Sequence, residues 1–420
     1  MNVLIIGSGG REHALARAVS DSPLCDELYI APGNPGIARH GHCISLDSSD
    51  HDAVCRYCHD TQIELVIIGP EAPLVDGLAD SLNAAGIAVF GPSAAAAQLE
   101  GSKAFARDFC QRHEIPQPQW QSFDDAEEAL SFAKHLGGAC VVKADGLAAG
   151  KGVIVCDDEA QAEDAIRSLL GGRFKDASAS IVVEERLVGV EMSAFALLDG
   201  KTAIWMASAQ DHKRAYDGDK GENTGGMGAV SPSPLETDAL RDQIMETVII
   251  PVSDGMAAEG MPYQGVLYAG LMLTDDGPKV IEFNCRFGDP EAQVILPRMM
   301  SDVLTAIITQ TEQGLEHYQL RLSDEHAVTV VMATKGYPGA YETGSIITQT
   351  EQAETEAGCF VYHAGTSRNE AGELIASGGR VLAITAIASD SQNARKAAYD
   401  GVKMIGWQDG FFRTDIAKFS

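Results

Sequence analysis

Residues Ile281-Glu282-Phe283-Asn284-Cys285-Arg286-Phe287-Gly288-Asp289-Pro290-Glu291 set a carboxylate, an amide oxygen and a guanidinium at alternate positions. In an extended strand alternate side chains share a face. Glu282, Asn284 and Arg286 are therefore expected to project together, and Ile281, Phe283 and Cys285 oppositely. Two oxygen ligands suit a hard cation such as Mg²⁺, and a guanidinium suits phosphate or carboxylate. The polar turn that follows adds Asp289 and Glu291 as further carboxylates. Read alone, the strand fits a half-solvated edge with a surface ion pair equally well; the residues upstream decide.

A second run, Lys143-Ala144-Asp145-Gly146-Leu147-Ala148-Ala149-Gly150-Lys151-Gly152, is glycine-rich but is not a P-loop. A P-loop needs four residues between its glycines, then Lys and Ser or Thr, then a helix, whereas Gly152 follows Lys151 here and a strand comes next. The better reading is a flap between two strands, its backbone N–H groups facing phosphate and Lys143 and Lys151 bracketing it as point charges. A flexible hairpin is the plainer alternative. The formal charge of −29 favours the flap, because an anionic substrate must then be met by locally concentrated positive charge.

The segment Glu184-Glu185-Arg186-Leu187-Val188-Gly189-Val190-Glu191 follows a buried strand and reads as a nucleoside-holding segment or a solvated strand end. Asp211-His212-Lys213-Arg214 and Asn223-Thr224-Gly225-Gly226-Met227-Gly228 join basic groups to a glycine-rich turn, again a pattern for anions. Near the start, Gly7-Ser8-Gly9-Gly10-Arg11-Glu12 fails the dinucleotide fingerprint at Glu12. Glycines before a helix N-terminus still suit a small phosphorylated ligand better than NAD.

The elements that must position these groups are legible. Apolar runs at 3–6, 27–30, 65–68 and 87–90 alternate with helical stretches near 11–20, 49–60 and 74–85, the rhythm of a doubly wound parallel sheet. A helix starting at Lys103 opens a second unit with strands at 140–143, 153–155 and 181–184, a helix near 158–170, and a hairpin pairing 267–274 with 279–284. From about 325 a smaller α/β unit has strands near 326–333, 359–363 and 380–387 and a helix at 390–405. Boundaries are expected at 1–100, 101–324 (with a flap-bearing part at about 118–188) and 325–420. A length of 420 residues agrees with several cores.

The acidic balance argues against a nucleic-acid surface, and no apolar run reaches the roughly 18 residues of a membrane span. Nine scattered cysteines and the absence of a signal-like start fit reduced thiols in the cytoplasm. Cys55-Arg56-Tyr57-Cys58-His59 matches a haem-attachment motif in letter only, and it reads as part of a helix.

In order and combination, Lys103, the 143–152 flap, Glu184 and Glu191, and Glu282 with Asn284 resemble the ATP-grasp superfamily. The first loop, 210–214, 223–228 and 282–291 are similar to its glycinamide ribonucleotide synthetase family. That resemblance, which runs from Met1 to about Phe412, implies an α/β ATP-grasp fold between an N-terminal doubly wound domain and a small C-terminal α/β domain. It implies ATP-dependent ligation of glycine to 5-phosphoribosylamine through glycyl phosphate, with Mg²⁺ or Mn²⁺.

On this reading Lys103, Lys143, Asp145, Gly146, Gly150, Lys151 and Gly152 meet the phosphates. Glu184, Glu185, Leu187 and Glu191 hold the nucleoside, and Glu282 and Asn284 ligate the metal. Arg286 and Lys213 stabilise the transferring phosphoryl group. Asp289 and Glu291 hold the glycine ammonium, Asp211 is a further substrate-binding residue, and Gly9, Gly10 and Arg11, or Asn223 and Gly226, cradle the phosphoribosyl group. Two departures stand out: Ser8 where the family pattern has Asn, and no acidic ligand on 267–274, which leaves the number of metal ions open. A monomer or weak dimer is expected. The competing readings are a bicarbonate-using ATP-grasp ligase, a nucleotide sensor without turnover, and an NAD-dependent oxidoreductase.

Overall fold

The computed structural model describes residues 1–148, 152–172 and 179–419. Its N-terminal part is a five-stranded parallel sheet in the order His42–Cys43, Glu27–Pro32, Asn2–Gly7, Leu65–Ile68, Ala88–Phe90. The strands read as near-continuous apolar runs because both faces are covered: Leu4 and Ile6 enter one core, Val3 and Ile5 the other. The strand order reverses beside Asn2–Gly7, so the loops after Gly7 and Ile68 open at a topological switch point. The helix expected over 74–85 is two, Glu71–Val75 and Leu78–Ala84. Gly77 breaks it at φ +91°, a conformation that glycine adopts without a Cβ clash. The Cys55–Cys58 segment lies in the helix His51–Asp60, with Cys58 buried in the core.

A separate four-stranded antiparallel sheet runs in the order Trp120–Phe123, Ile181–Glu185, Cys140–Ala144, Val153–Cys156. With the helices Ala126–His135 and Glu159–Leu170 it closes a small core of its own around Phe123, Val142, Ile166 and Val183. The flap joins Ala144 to Val153. Ala149, Gly150 and Lys151 lie outside the described residues.

The largest sheet among the described residues has nine strands. Gly277–Asn284, Gln264–Thr274, Val190–Asp199, Ala203–Asp211, Gly228–Ser231, His326–Thr334, Arg380–Ala388 and Phe360–His363 follow in order, and Gly410–Phe411 pairs with His326–Thr334. It crosses the expected boundary near 325: Gly228–Ser231 pairs residue by residue with 327–330. The sequence pattern changes there, yet the backbone hydrogen bonding does not stop. In the hairpin the register slips, with Gly270 opposite Glu282 but Leu271 opposite Val280. Ile281 is thus the extra residue of a bulge, and its carbonyl leaves the ladder. The strand ends at Asn284, so a bend rather than the pleat sets the direction of Arg286.

Candidate active site

A cleft of about 670 Å³ lies between the flap-bearing sheet, the nine-stranded sheet and the switch point. At one end Glu184 is buried in a triad. Its carboxylate accepts from Arg107 Nε at 2.7 Å and NH2 at 3.0 Å, and meets Lys143 Nζ at 2.8 Å. The bulge carbonyl of Ile281 accepts from Lys143 Nζ at 2.8 Å and Arg107 NH2 at 2.5 Å. Lys143 and Glu184 are each 2% exposed. Burial opposes the charge on Glu184, but Arg107 and Lys143 outweigh it and hold the carboxyl below its usual range. Burial likewise lowers Lys143, against the pull of Glu184. Two cations on one carboxylate leave the triad a net +1 facing the cleft.

Asp145 roots the flap. Its carboxylate accepts from Ser102 Oγ at 3.0 Å and the Ala104 N–H at 2.8 Å, clamping it to the start of the helix Lys103–Arg112. Lys103 Nζ donates to the Gly146 carbonyl at 3.2 Å.

In the middle of the cleft Lys213 Nζ sits 2.9 Å from Glu191 Oε2 and 3.6 Å from Glu282 Oε1. Burial pushes Asp211 up to about 7; Lys213 opposes the rise, and Glu291, Glu191 and Glu282 add to it. Burial also raises Glu291, against the hydrogen bond from Tyr268. Asn284 lines the cleft on the face of Glu282, and its side chain makes no hydrogen bond among the described residues. A free amide oxygen beside a carboxylate fits a hard cation that takes its other ligands from phosphate and water. Among the described residues no group of three or more His, Cys, Asp or Glu is arranged to hold a metal ion unaided.

At the far end Arg286 bridges Glu100, at 2.7 Å, and Glu71, at 3.3 Å, and donates to the Phe287 carbonyl. Glu12 turns back into its own loop. Its carboxylate accepts the Gly9 N–H at 2.6 Å and Arg11 Nε at 2.6 Å. The Arg11 N–H goes to Asp289 Oδ2 at 3.3 Å. Asp289 Oδ1 accepts from Gln293 Nε2 at 2.8 Å and lies 3.4 Å from NH2 of Arg380, a residue of the C-terminal part.

Three domain descriptions of one family, phosphoribosylglycinamide synthetase, match the chain: the N domain at 1–100, the ATP-grasp (A) domain at 101–292 and the C domain at 327–419. The chain belongs to the phosphoribosylglycinamide synthetase family. It is 51% identical to the phosphoribosylamine–glycine ligase of Agrobacterium fabrum, over 99% of this chain and 98% of that protein. It is 50% identical to the chloroplastic enzyme of Arabidopsis thaliana, over 97% of this chain and 78% of that protein. The crystal structure of the Thermotoga maritima phosphoribosylamine–glycine ligase superposes with a TM-score of 0.86 at 31% identity, covering 99% of this chain and all of that one. A biotin carboxylase domain from Hydrogenobacter thermophilus reaches 0.71 at 16% identity, which shows a shared ATP-grasp fold and nothing more.

In this member of the synthetase family the cleft brings together most of the residues that the sequence singles out. Lys103, Lys143, Gly152, Glu184, Glu185, Leu187, Glu191, Asp211, Lys213, Asn223, Glu282, Asn284, Arg286, Asp289, Glu291 and Arg11 all line it. Asp145, Gly146, Gly9, Gly10 and Gly226 are not in its walls, and Gly150 and Lys151 fall outside the described residues. Glu184 meets Arg107 and Lys143 through both of its oxygens, whereas Glu191 meets Lys213 through Oε2 alone. The loop of Gly9 and Gly10 offers less to an outside anion than its glycines suggest, since Glu12 and Asp289 take two of its N–H groups. Sequence reasoning placed Glu71 only in the loop that ends the strand 65–68, and missed Arg107, Glu100, Tyr268 and Arg380. Of these, Arg107 left a signal: it stands one helical turn after Lys103, on the same face.

Proposed function

We propose that this protein is an ATP-dependent phosphoribosylamine–glycine ligase that forms glycinamide ribonucleotide, ADP and phosphate by way of glycyl phosphate. The observation that carries the reading is the full-length family match on a cleft that sets the Arg107–Glu184–Lys143 triad against Glu282 and Asn284. A glycine carboxylate oxygen attacks the γ-phosphorus and ADP leaves. The amine of phosphoribosylamine then attacks the acyl carbon and phosphate leaves, so no covalent enzyme nucleophile is required. Most of the nine cysteines are accordingly buried, and none lies in a disulfide.

The residues contribute position and charge. The triad, with Lys103, faces the ATP phosphates, and the flap backbone closes over them to keep water from the acyl phosphate. Glu185 and Leu187 line the nucleoside end. Glu282 and Asn284 would hold a divalent ion, Mg²⁺ with Mn²⁺ as a substitute, which when bound neutralises charge between the phosphates. Lys213 neutralises the transferring phosphoryl group, with Arg286 supplying the N–H groups that Glu71, Glu100 and Phe287 leave uncommitted. Asp211, Asp289 and Glu291 offer carboxylates to the glycine ammonium.

A coupled ADP assay with phosphoribosylamine generated in situ tests this. ADP release is expected with glycine and not with alanine or bicarbonate. Release driven by bicarbonate, or none with any pair, overturns the reading.

A further inference from the structure

The substrate proposed above carries a phosphate monoester, and the cations lining the cleft are unequally free to meet it. Arg11 is buried and spends Nε on Glu12 and NH1 on the Phe287 carbonyl. Arg286 is divided between Glu71 and Glu100, and Lys213 is held by Glu191. Arg380 is different. It is the sole cleft-lining residue among those described beyond residue 325, and only one arm is engaged in hydrogen bonds. Its NH1 donates to the Gly225 carbonyl at 2.5 Å and the Asp289 carbonyl at 2.6 Å. Among the described residues Nε and NH2 form no hydrogen bond, although NH2 lies 3.4 Å from Asp289 Oδ1. Arg214, on the hairpin that carries Asn223, lines the same cleft and engages only NH1, with the Gly221 carbonyl.

We infer that Arg380, with Arg214 opposite Asn223, forms the subsite for the phosphate monoester of the amine substrate. The site rests on the ligase reading and moves the phosphate away from the glycine loop, whose donors Glu12 and Asp289 already occupy. A guanidinium pinned through one nitrogen presents its remaining planar N–H groups in the fork that matches phosphate oxygens. Pinning by the 225 and 289 carbonyls also ties recognition of the sugar phosphate to the turn that bears Asp289 and Glu291. The C-terminal part thereby reaches the chemistry through one side chain.

Two variants test this in the full-length protein. Arg380→Gln removes the charge. Gly225→Ala places a methyl 2.9 Å from Arg380 Cζ, at a backbone conformation open to alanine, and so displaces the guanidinium without removing it. Both should raise KM for phosphoribosylamine about 10- to 100-fold, the size of one lost charge-assisted contact, with KM for ATP unchanged. Binding of ribose 5-phosphate measured by calorimetry should weaken equally, and neither variant should bind ribose differently from the parent. An active parent whose variants keep its preference for ribose 5-phosphate over ribose overturns the subsite and leaves the ligase reading standing. A parent with no ligase activity overturns the reading beneath it.

Discussion

At the residue scale, Lys143 and Asn284 make opposite cases. The sequence reads Lys143 as a point charge at one end of a phosphate flap. The structure buries its ammonium against Glu184 and the Ile281 carbonyl, so the charge is part of the fold as well as of the site. Breaking a buried pair leaves its partner short of compensation. Lys143→Met is therefore expected to cost about 3 kcal/mol in urea unfolding and to lower ATP-dependent turnover at least about 100-fold. An unchanged unfolding midpoint removes the triad from the account. The Asn284 side chain has no partner to lose among the described residues. Asn284→Ala should leave stability within about 0.5 kcal/mol while raising the Mg²⁺ concentration for half-maximal activity about tenfold or more. An unaltered Mg²⁺ dependence rules out Asn284 as a ligand.

At the element scale, the helix Gly10–Ser20 lies on the strand Phe360–His363 through the buried His13 and His363, with the half-buried His40 beside His13. The His363 N–H donates to His13 Nδ1 at 2.7 Å, and its carbonyl accepts from Asn34. Burial, with Arg39 nearby, pushes His363 down to about 4, and burial also lowers His13 and His40. Arg17, Arg39 and Arg368 add positive charge around the group, and Glu354 opposes it. An imidazole whose pKa is lower folded than unfolded is neutral in both states above about 6.5. Below that the unfolded chain takes up the proton first, so stability falls as pH drops toward 4. His363 alone contributes a loss of about 2 kcal/mol between pH 7 and pH 5. His363→Asn should flatten the slope of unfolding free energy against pH over that range, whatever its absolute stability; an unchanged slope sinks the assignment.

At the scale of the whole molecule, the nine-stranded sheet joins the central and C-terminal parts, while the flap-bearing sheet keeps a small core of its own. Segments with separate cores open separately. Amide exchange over the strands Trp120–Phe123, Cys140–Ala144 and Ile181–Glu185 should be faster than over Val190–Asp199 without nucleotide, and ATP with Mg²⁺ should slow it selectively. Equal protection of both sheets would contradict an independently opening flap unit.

The sequence by itself singled out most of the charged groups that line the cleft, because alternation, glycine spacing and the placement of lysines in an acidic chain are local properties. It likewise determined the parallel sheet, whose apolar runs announce strands covered on both faces. It did not show that Glu184 is enclosed by Arg107 and Lys143, that Arg286 leans on Glu71 and Glu100, or that Arg380 reaches the cleft. Those partners lie from 41 to 215 residues apart in the chain. Arg107 and Lys143 also meet at a one-residue bulge at Ile281 that no hydrophobic pattern marks. Only the tertiary structure decided them, because the net charge of a buried cluster depends on which side chains arrive there together, and the order of residues along a strand carries no record of that.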